Sequence, residues 1–297
     1  MRIGLALSGG GIRGLAHAGV LKALEENNIK IDIIGGTSAG SMISTLYAIG
    51  YTPDEIYECF EENYNKILGN NKFHIFNGIK SIICKKGITS GLKKGDKIEK
   101  IFNKLALEKN IDDISKIKMP IVIPTVDILE AKEYIFTNYI PIRENTASIG
   151  PDDERQTKYI NHVSIGKAIR ASSSFPAMFD LCTTIDKHTF IDGGTLDNVP
   201  TVEVRKQGAD KVIAVKFGED TIDENSNMID IVMKTIDIMG NKIIEKDLES
   251  SDFVLNIHTD KVGLLEVDKM KKCFVSGYNA VNKNIDKIKQ IIYGEYI

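Results

Sequence analysis

Three clusters of small residues carry the groups that could do chemistry in this chain. The first is residues 33–41, Ile-Ile-Gly-Gly-Thr-Ser-Ala-Gly-Ser, where an apolar run ends at Gly36 and Ser38 stands between Gly36 and Gly40. Gly-x-Ser-x-Gly between a strand and a helix is the spacing of a nucleophile elbow, a turn so sharp that one residue is strained at its apex with its hydroxyl exposed. Glycines two before and two after let strand and helix pack closely where a Cβ would clash. Ser38 Oγ would then lie at a helix N-terminus, where backbone N–H groups favour developing negative charge. The plainer reading is a Gly-rich turn with Ser38 as a helix N-cap.

The second cluster is Ser8-Gly9-Gly10-Gly11-Ile12-Arg13-Gly14. Its amides open a helix with little side chain in the way, which suits an oxyanion. Gly9-x-Gly11-x-x-Gly14 also has the spacing of a dinucleotide fingerprint, so a dinucleotide- or phosphate-binding protein is the rival reading. That fingerprint calls for an acid about 20 residues on, at the end of the second strand. Here the strand ends in Gly35-Gly36-Thr37-Ser38, and Asp32 precedes it. The third cluster is Asp192-Gly193-Gly194, at the end of the apolar run Thr189-Phe190-Ile191. Open α/β sheets gather such strand ends into one crevice.

A serine needs a base. The histidines are His17, His74, His162, His188 and His258. His17 falls inside the first helix, where packing is the simpler role. His188 precedes the strand to Asp192 and is expected at the opposite end from the site. Asp192 sits at a strand end beside two glycines, and a carboxylate within hydrogen-bond reach can take the proton directly. A Ser38–Asp192 dyad is therefore expected, against the plainer reading of Asp192 as an Asp-Gly turn residue.

Taken together, Gly9-Gly10-Gly11-Ile12-Arg13-Gly14, Gly36-Thr37-Ser38-Ala39-Gly40 and Asp192-Gly193-Gly194 resemble, in order, the motifs of the patatin-like phospholipases. Ala171-Ser172-Ser173-Ser174-Phe175-Pro176 and Asn198-Val199-Pro200 resemble further segments of that family. The resemblance spans about residues 2–217. It implies a three-layer α/β/α fold with a mainly parallel sheet and hydrolysis of lipid acyl esters without metal or cofactor. It makes Ser38 the nucleophile, Asp192 the base and the loop from Gly9 to Gly14 the oxyanion hole and substrate-binding loop, ordered by Arg13. A non-catalytic lipid-binding regulator would lack the nucleophile or the base, and both are present.

The elements around these motifs follow from periodicity. Ile3 to Leu7 and Ile31 to Ile34 read as buried strands, and Ile12 to Leu24 as a helix between them. That connection implies a right-handed crossover and a parallel pair. The elbow helix runs from Ala39 to Ile49. Thr52-Pro53-Asp54-Glu55 is a capping box with Pro at the first helical position. Residues 66–94 mix bulky apolar residues with Lys80, Lys85, Lys86, Lys93 and Lys94 and read as an insertion: a lid, a lipid-facing surface or a solvated loop. Further expectations are a helix from Asp96 to Leu107, strands at Ile121 to Val126 and Glu133 to Phe136, and a helix at Ile165 to Ala171. A helix started by Asn198 over Val199 to Lys206 and a strand at Val212 to Val215 follow. Pro124 points to an edge or a bulge. Helices at Met228 to Asp247 and Leu265 to Ile292 flank a strand at Phe253 to Ile257. No repeat or linker divides the chain, so residues 1–297 are expected to form one domain, with 218–297 completing it.

Composition excludes other classes. With 42% hydrophobic and 27% charged residues and a net charge of −3, the chain is ordinary for a globular protein and poorly suited to nucleic acid. Cys59, Cys84, Cys182 and Cys273 match no metal or redox spacing. The N-terminal apolar run is shorter than a signal sequence, and no stretch reaches the ~20 apolar residues of a membrane span. A cytoplasmic protein with peripheral membrane contact is expected. Oligomeric state is not written in the sequence.

Overall fold

The computed structural model describes residues 1–68, 91–93, 95–141, 157–183, 188–218, 238–240, 242–259 and 267–294, with Ile231, Thr235 and Val262. Strand β1 (Ile3–Leu7) passes through a 3-10 turn, Gly11–Leu15, into helix α1 (Ala16–Glu26) and strand β2 (Ile33–Gly36). The helix expected from Ile12 therefore begins as a tighter turn, with Gly11 at φ +57°. Helix α2 (Ala39–Ala48) follows the elbow, and α3 (Pro53–Leu68) follows the capping box. Glu55 N–H donates to Thr52 Oγ1 at 3.2 Å and Thr52 N–H to Glu55 Oε2 at 2.7 Å, the reciprocal pair the box calls for.

The chain continues through β3 (Gly91–Lys93), α4 (Asp96–Glu108), β4 (Ile121–Asp127), β5 (Lys132–Thr137), β6 (Lys158–Ile160) and α5 (Ile165–Ser172). Then come β7 (Ala177–Phe179), β8 (Cys182–Thr183), β9 (Thr189–Asp192), α6 (Thr201–Lys206), β10 (Lys211–Phe217), α7 (Glu245–Leu248), β11 (Phe253–Ile257) and α8 (Met270–Tyr293). Of the insertion read at 66–94, residues 66–68 end α3 and 91–93 form β3, which pairs with β7. Residues 69–90 and Lys94, including Lys80, Lys85 and Lys86, lie outside the described residues, as do 228–230, 232–234, 236, 237 and 241 of the helix expected at Met228 to Asp247, whose described residues are helical but for a turn at Ile244. No helix among the described residues is long and apolar enough to cross a membrane.

The sheet has nine strands with the order β11–β10–β1–β2–β4–β5–β6, and β9 and β8 join beside β4. Strands β11, β10, β1, β2 and β4 are parallel. Period-two alternation sorts the side chains into two faces. Ile3, Leu5 and Leu7, with Ile34, Ile121, Ile123, Phe136, Ile213 and Val215, pack in the larger core with residues of α1–α5 and α8. Ala6, Ile33, Val122, Ile135, Val212 and Ala214 form a smaller one with Val199, Val204 and Ile244. The result is a three-layer α/β/α fold with a mostly parallel sheet. On the thin face, Val204 of α6 sits over Gly4 and Gly35, where Cβ atoms would come within 2.5 and 2.7 Å of its methyls.

Two expectations need correction. Pro124 lies neither at an edge nor in a bulge. Strand β4 is internal: Ile121 and Val122 pair with β2, while Thr125, Val126 and Asp127 pair with β9 on the same side. Pro124 falls in the gap where one partner strand ends and the other begins, so its missing N–H leaves no ladder bond broken on that side. Asn198 does not start a helix. Helix α6 begins at Thr201 with Pro200 before it, and Asn198 turns back to the first glycine loop.

Candidate active site

The partner switch along β4 builds the site. Strand β2 arrives from one end and β9 from the other, and the two meet near Pro124, so Asp192 faces the turn that leaves β2. A Cβ on Gly193 would overlap the Pro124 carbonyl, which makes glycine the residue that can turn there.

Ser38 is that turn's apex. Its φ of 53° and ψ of −119° are unusual for a residue with a side chain. Neighbouring bonds hold the conformation. Ser38 N–H donates to Ser172 Oγ at 3.0 Å, and Ser38 O accepts Ser41 Oγ at 2.6 Å and Ser41 N–H at 2.9 Å. A Cβ on Gly36 would overlap the Gly40 carbonyl. Ser38 is half-buried between buried Thr37 and Ala39.

The first glycine loop leaves β1 beside this turn. Gly9 N–H donates to Asn198 Oδ1 at 3.0 Å and to Asn198 O at 3.3 Å. A Cβ on Gly9 would stand 2.8 Å from Asn198 Oδ1 and 3.2 Å from Ser38 Cβ. One on Gly194 would stand 3.2 Å from the same Asn198 oxygen and 3.1 Å from Asp192 Oδ1. The three sequence clusters thus converge around Asn198. Gly10 and Gly11 are half-buried, and Arg13 is buried with its backbone N–H 3.2 Å and its Nε 3.4 Å from Gly10 O. Ile12 is buried in the core, and Gly14 packs on Ala39 at the head of α2.

Asp192 is 2% exposed. Its Oδ1 accepts Gly194 N–H at 2.8 Å, and its own N–H donates to Ser174 O at 3.1 Å. Ser172 and Ser174, at and just past the end of α5, thus hold the backbones of the two motif residues. The sequence flagged this serine run only as a resembling segment, and it assigned Asn198 no role in the site.

The rival dinucleotide site lacks its acid. Asp32 is at the far end of β2, where its Oδ2 accepts Ile3 N–H at 3.0 Å. Among the described residues, Asp127, Glu130 and His188 bring ligand-type atoms within 4.8 Å of one another. These atoms are already paired: His188 Nδ1 lies 2.7 Å from Asp127 Oδ2, and Glu130 Oε2 accepts Lys158 Nζ at 2.6 Å. Burial pushes the Asp127 carboxyl up, but the Glu130 and Leu129 N–H groups and His188 outweigh it and hold it below the usual range. His188 stands at the start of β9, the opposite end of that strand from Asp192.

The sequence profile of the patatin-like phospholipase family matches residues 5–205. Lysophospholipase NTE1 of Meyerozyma guilliermondii is 29% identical over 226 residues, 76% of this chain and 13% of that protein. Human patatin-like phospholipase domain-containing protein 6 is 27% identical over 217 residues, 73% of this chain and again 13% of the relative. The chain therefore spans about an eighth of these relatives' length. Among solved structures, VipD from Legionella pneumophila superposes with a TM-score of 0.54 at 15% identity, covering 96% of this chain and 67% of that one. Human GIVD cytosolic phospholipase A2 superposes with a TM-score of 0.52 at 10% identity, covering 99% and 58%. At these identities the likeness is one of fold.

Proposed function

Because the chain belongs to the patatin-like phospholipase family, we propose that it hydrolyses acyl esters of lipids with Ser38 as nucleophile and Asp192 as general base. The observation that carries this reading is the Asn198 side chain lying between Gly9 and Gly194, with the strained, half-buried Ser38 beside Gly9 and the buried Asp192 beside Gly194. In the first step Asp192 takes the proton of Ser38 Oγ, which bonds to the ester carbonyl carbon as the carbonyl π electrons move to oxygen. Backbone amides of the glycine loop stabilise that oxyanion. Gly9 N–H is taken by Asn198, so Gly10 and Gly11 are the donors we assign. The oxyanion collapses, the C–O bond to the alcohol breaks, and Asp192 returns its proton to the leaving oxygen. Asp192 then activates water, which releases the fatty acid and restores Ser38.

The substrate is an acyl lipid, peripheral contact with its membrane is part of the reading, and neither metal nor cofactor takes part. The test is labelling by a fluorophosphonate serine-hydrolase probe, with Ser38→Ala and Asp192→Asn as comparisons. Wild type should label and both variants should not, while all three melt alike. Labelling of Asp192→Asn at the wild-type rate would remove Asp192 from the mechanism. A nucleotide that binds wild type but not Gly11→Ala would restore the dinucleotide reading.

A further inference from the structure

His17 is a buried titratable group that the hydrolytic steps do not use. It lies in the first turn of α1 with 0% of its surface exposed, and its Nε2 is 2.8 Å from Ser8 O. A carbonyl oxygen only accepts, so Nε2 carries the proton and donates. Burial pushes the His17 pKa down to about 4, against the opposing Ser8 bond, so the ring is a neutral donor near pH 7. The ring packs on Phe217, centroid to centroid 5.0 Å, and the Arg13 guanidinium carbon lies 5.1 Å from the same Phe217 centroid. Phe217, at the end of β10, also occupies the space beside Gly10, where a Cβ would come within 2.6 Å of the ring.

These contacts bear on the direction of the loop's amides. A trans peptide points its C=O and N–H in opposite directions. The Ser8 carbonyl is held by His17, and the N–H of the same peptide, on Gly9, reaches Asn198 on the other side. The Gly10 carbonyl is held by Arg13, so the N–H of its peptide, on Gly11, is turned away from Arg13. A run of three glycines has more backbone freedom than any other tripeptide. Donors aimed at developing charge help only if they are already in place when the charge forms. Something outside the run must therefore fix the peptide planes.

We infer that His17 is a positioning residue of the oxyanion loop: braced with Arg13 on the Phe217 ring, it fixes the Ser8–Gly9 peptide from behind and so sets the direction in which the following glycine amides face Ser38. This rests on the hydrolase reading, and its test separates the two. His17→Leu fills the space without a donor, and His17→Gln offers an amide N–H at similar reach. If the Leu variant does not fold, His17→Asn, too short to reach Ser8, replaces it. Two quantities are measured on the full chain: 1H–15N shifts and exchange rates of the Gly9, Gly10 and Gly11 amides, and kcat and KM for a p-nitrophenyl acyl ester. In His17→Leu the three amides should shift and exchange faster. Its kcat should fall on the order of 10–100-fold with KM within about twofold, as expected when an interaction made in the transition state is lost. His17→Gln should restore the amide pattern and bring kcat to within about threefold of wild type. Native amides and native kcat in His17→Leu would overturn the inference, as would equal losses in folded Leu and Gln variants. A wild type that turns over no ester, with amides that still respond to His17 as described, would sink the hydrolase reading and leave the positioning role standing.

Discussion

A histidine buried as a neutral donor ties stability to pH. The His17 pKa is about 4 in the folded chain against 6.5 for an exposed imidazole. Between these values the unfolded chain binds a proton that the folded chain refuses, so stability rises with pH through that window and falls as pH drops from 6.5 towards 4. At 1.36 kcal/mol per pKa unit this amounts to about 3 kcal/mol. Urea unfolding of wild type should lose that much more stability across the window than His17→Gln, which does not titrate there. Parallel pH slopes for the two proteins would contradict the buried neutral ring. At this scale the sequence marks the candidate groups and hides their supports. Ser38, Asp192 and the glycine loop stand out because the nucleophile and base we propose, and the turn glycines, each have a spacing or a strand-end position of their own. Asn198 looks like a helix start in the sequence because its partner, Gly9, is 189 residues away. Ser172 shows only as part of a resembling segment for the same reason, its partner Ser38 being 134 residues away. His17 reads as packing although its partner Ser8 is nine residues away, since no local pattern tells that an imidazole will hold a backbone carbonyl.

Between elements, the closest approach that positions the loop is the crossing of α1 and α8. A Cβ on Gly19 would overlap the Phe274 carbonyl, and one on Gly277 would overlap the Ala16 carbonyl, so each helix offers a glycine to the other's backbone. Ala16 directly precedes His17. Gly277→Ala would gain about 1 kcal/mol of helix propensity in isolation. Here its methyl has only backbone to displace, and forced overpacking costs typically about 1–3 kcal/mol. The expected outcome is a lower melting temperature by differential scanning calorimetry, with the Gly9–Gly11 amide resonances displaced as α1 shifts. A variant that melts higher than wild type would show that the helices can separate without strain. The helices themselves were legible from apolar spacing, and α3 from its capping box. The partner switch on β4 was not: Pro124 breaks the rule for internal strands, and only the meeting of β2 and β9 explains how it escapes.

Over the whole molecule, the part without motifs is bound to the part that has them. The family match ends at residue 205, yet β10 pairs with every residue of β1 from Ile3 to Leu7, and its last residue, Phe217, lies under the glycine loop. Beyond it, β11 pairs with β10, and α8 lies on α1 with Val281, Ile288 and Ile292 buried. Burying these three side chains contributes about 5–9 kcal/mol before the entropy of ordering the helix is subtracted. The sequence showed residues 253–257 and 265–292 as a strand and a helix but gave no sign of what they cover, because an apolar stripe does not name its partner. One folding unit is the expectation that follows. A chain cut after Gly218 would leave β10 as an exposed edge and the α8-facing side of α1 in water. It should bind the dye ANS, show no cooperative thermal transition and fail to label with the fluorophosphonate probe, whereas the full chain should melt in a single step. A cooperative melt and normal labelling of residues 1–218 would mean that the site is complete without α8, and that the C-terminal elements form a separate layer serving another purpose.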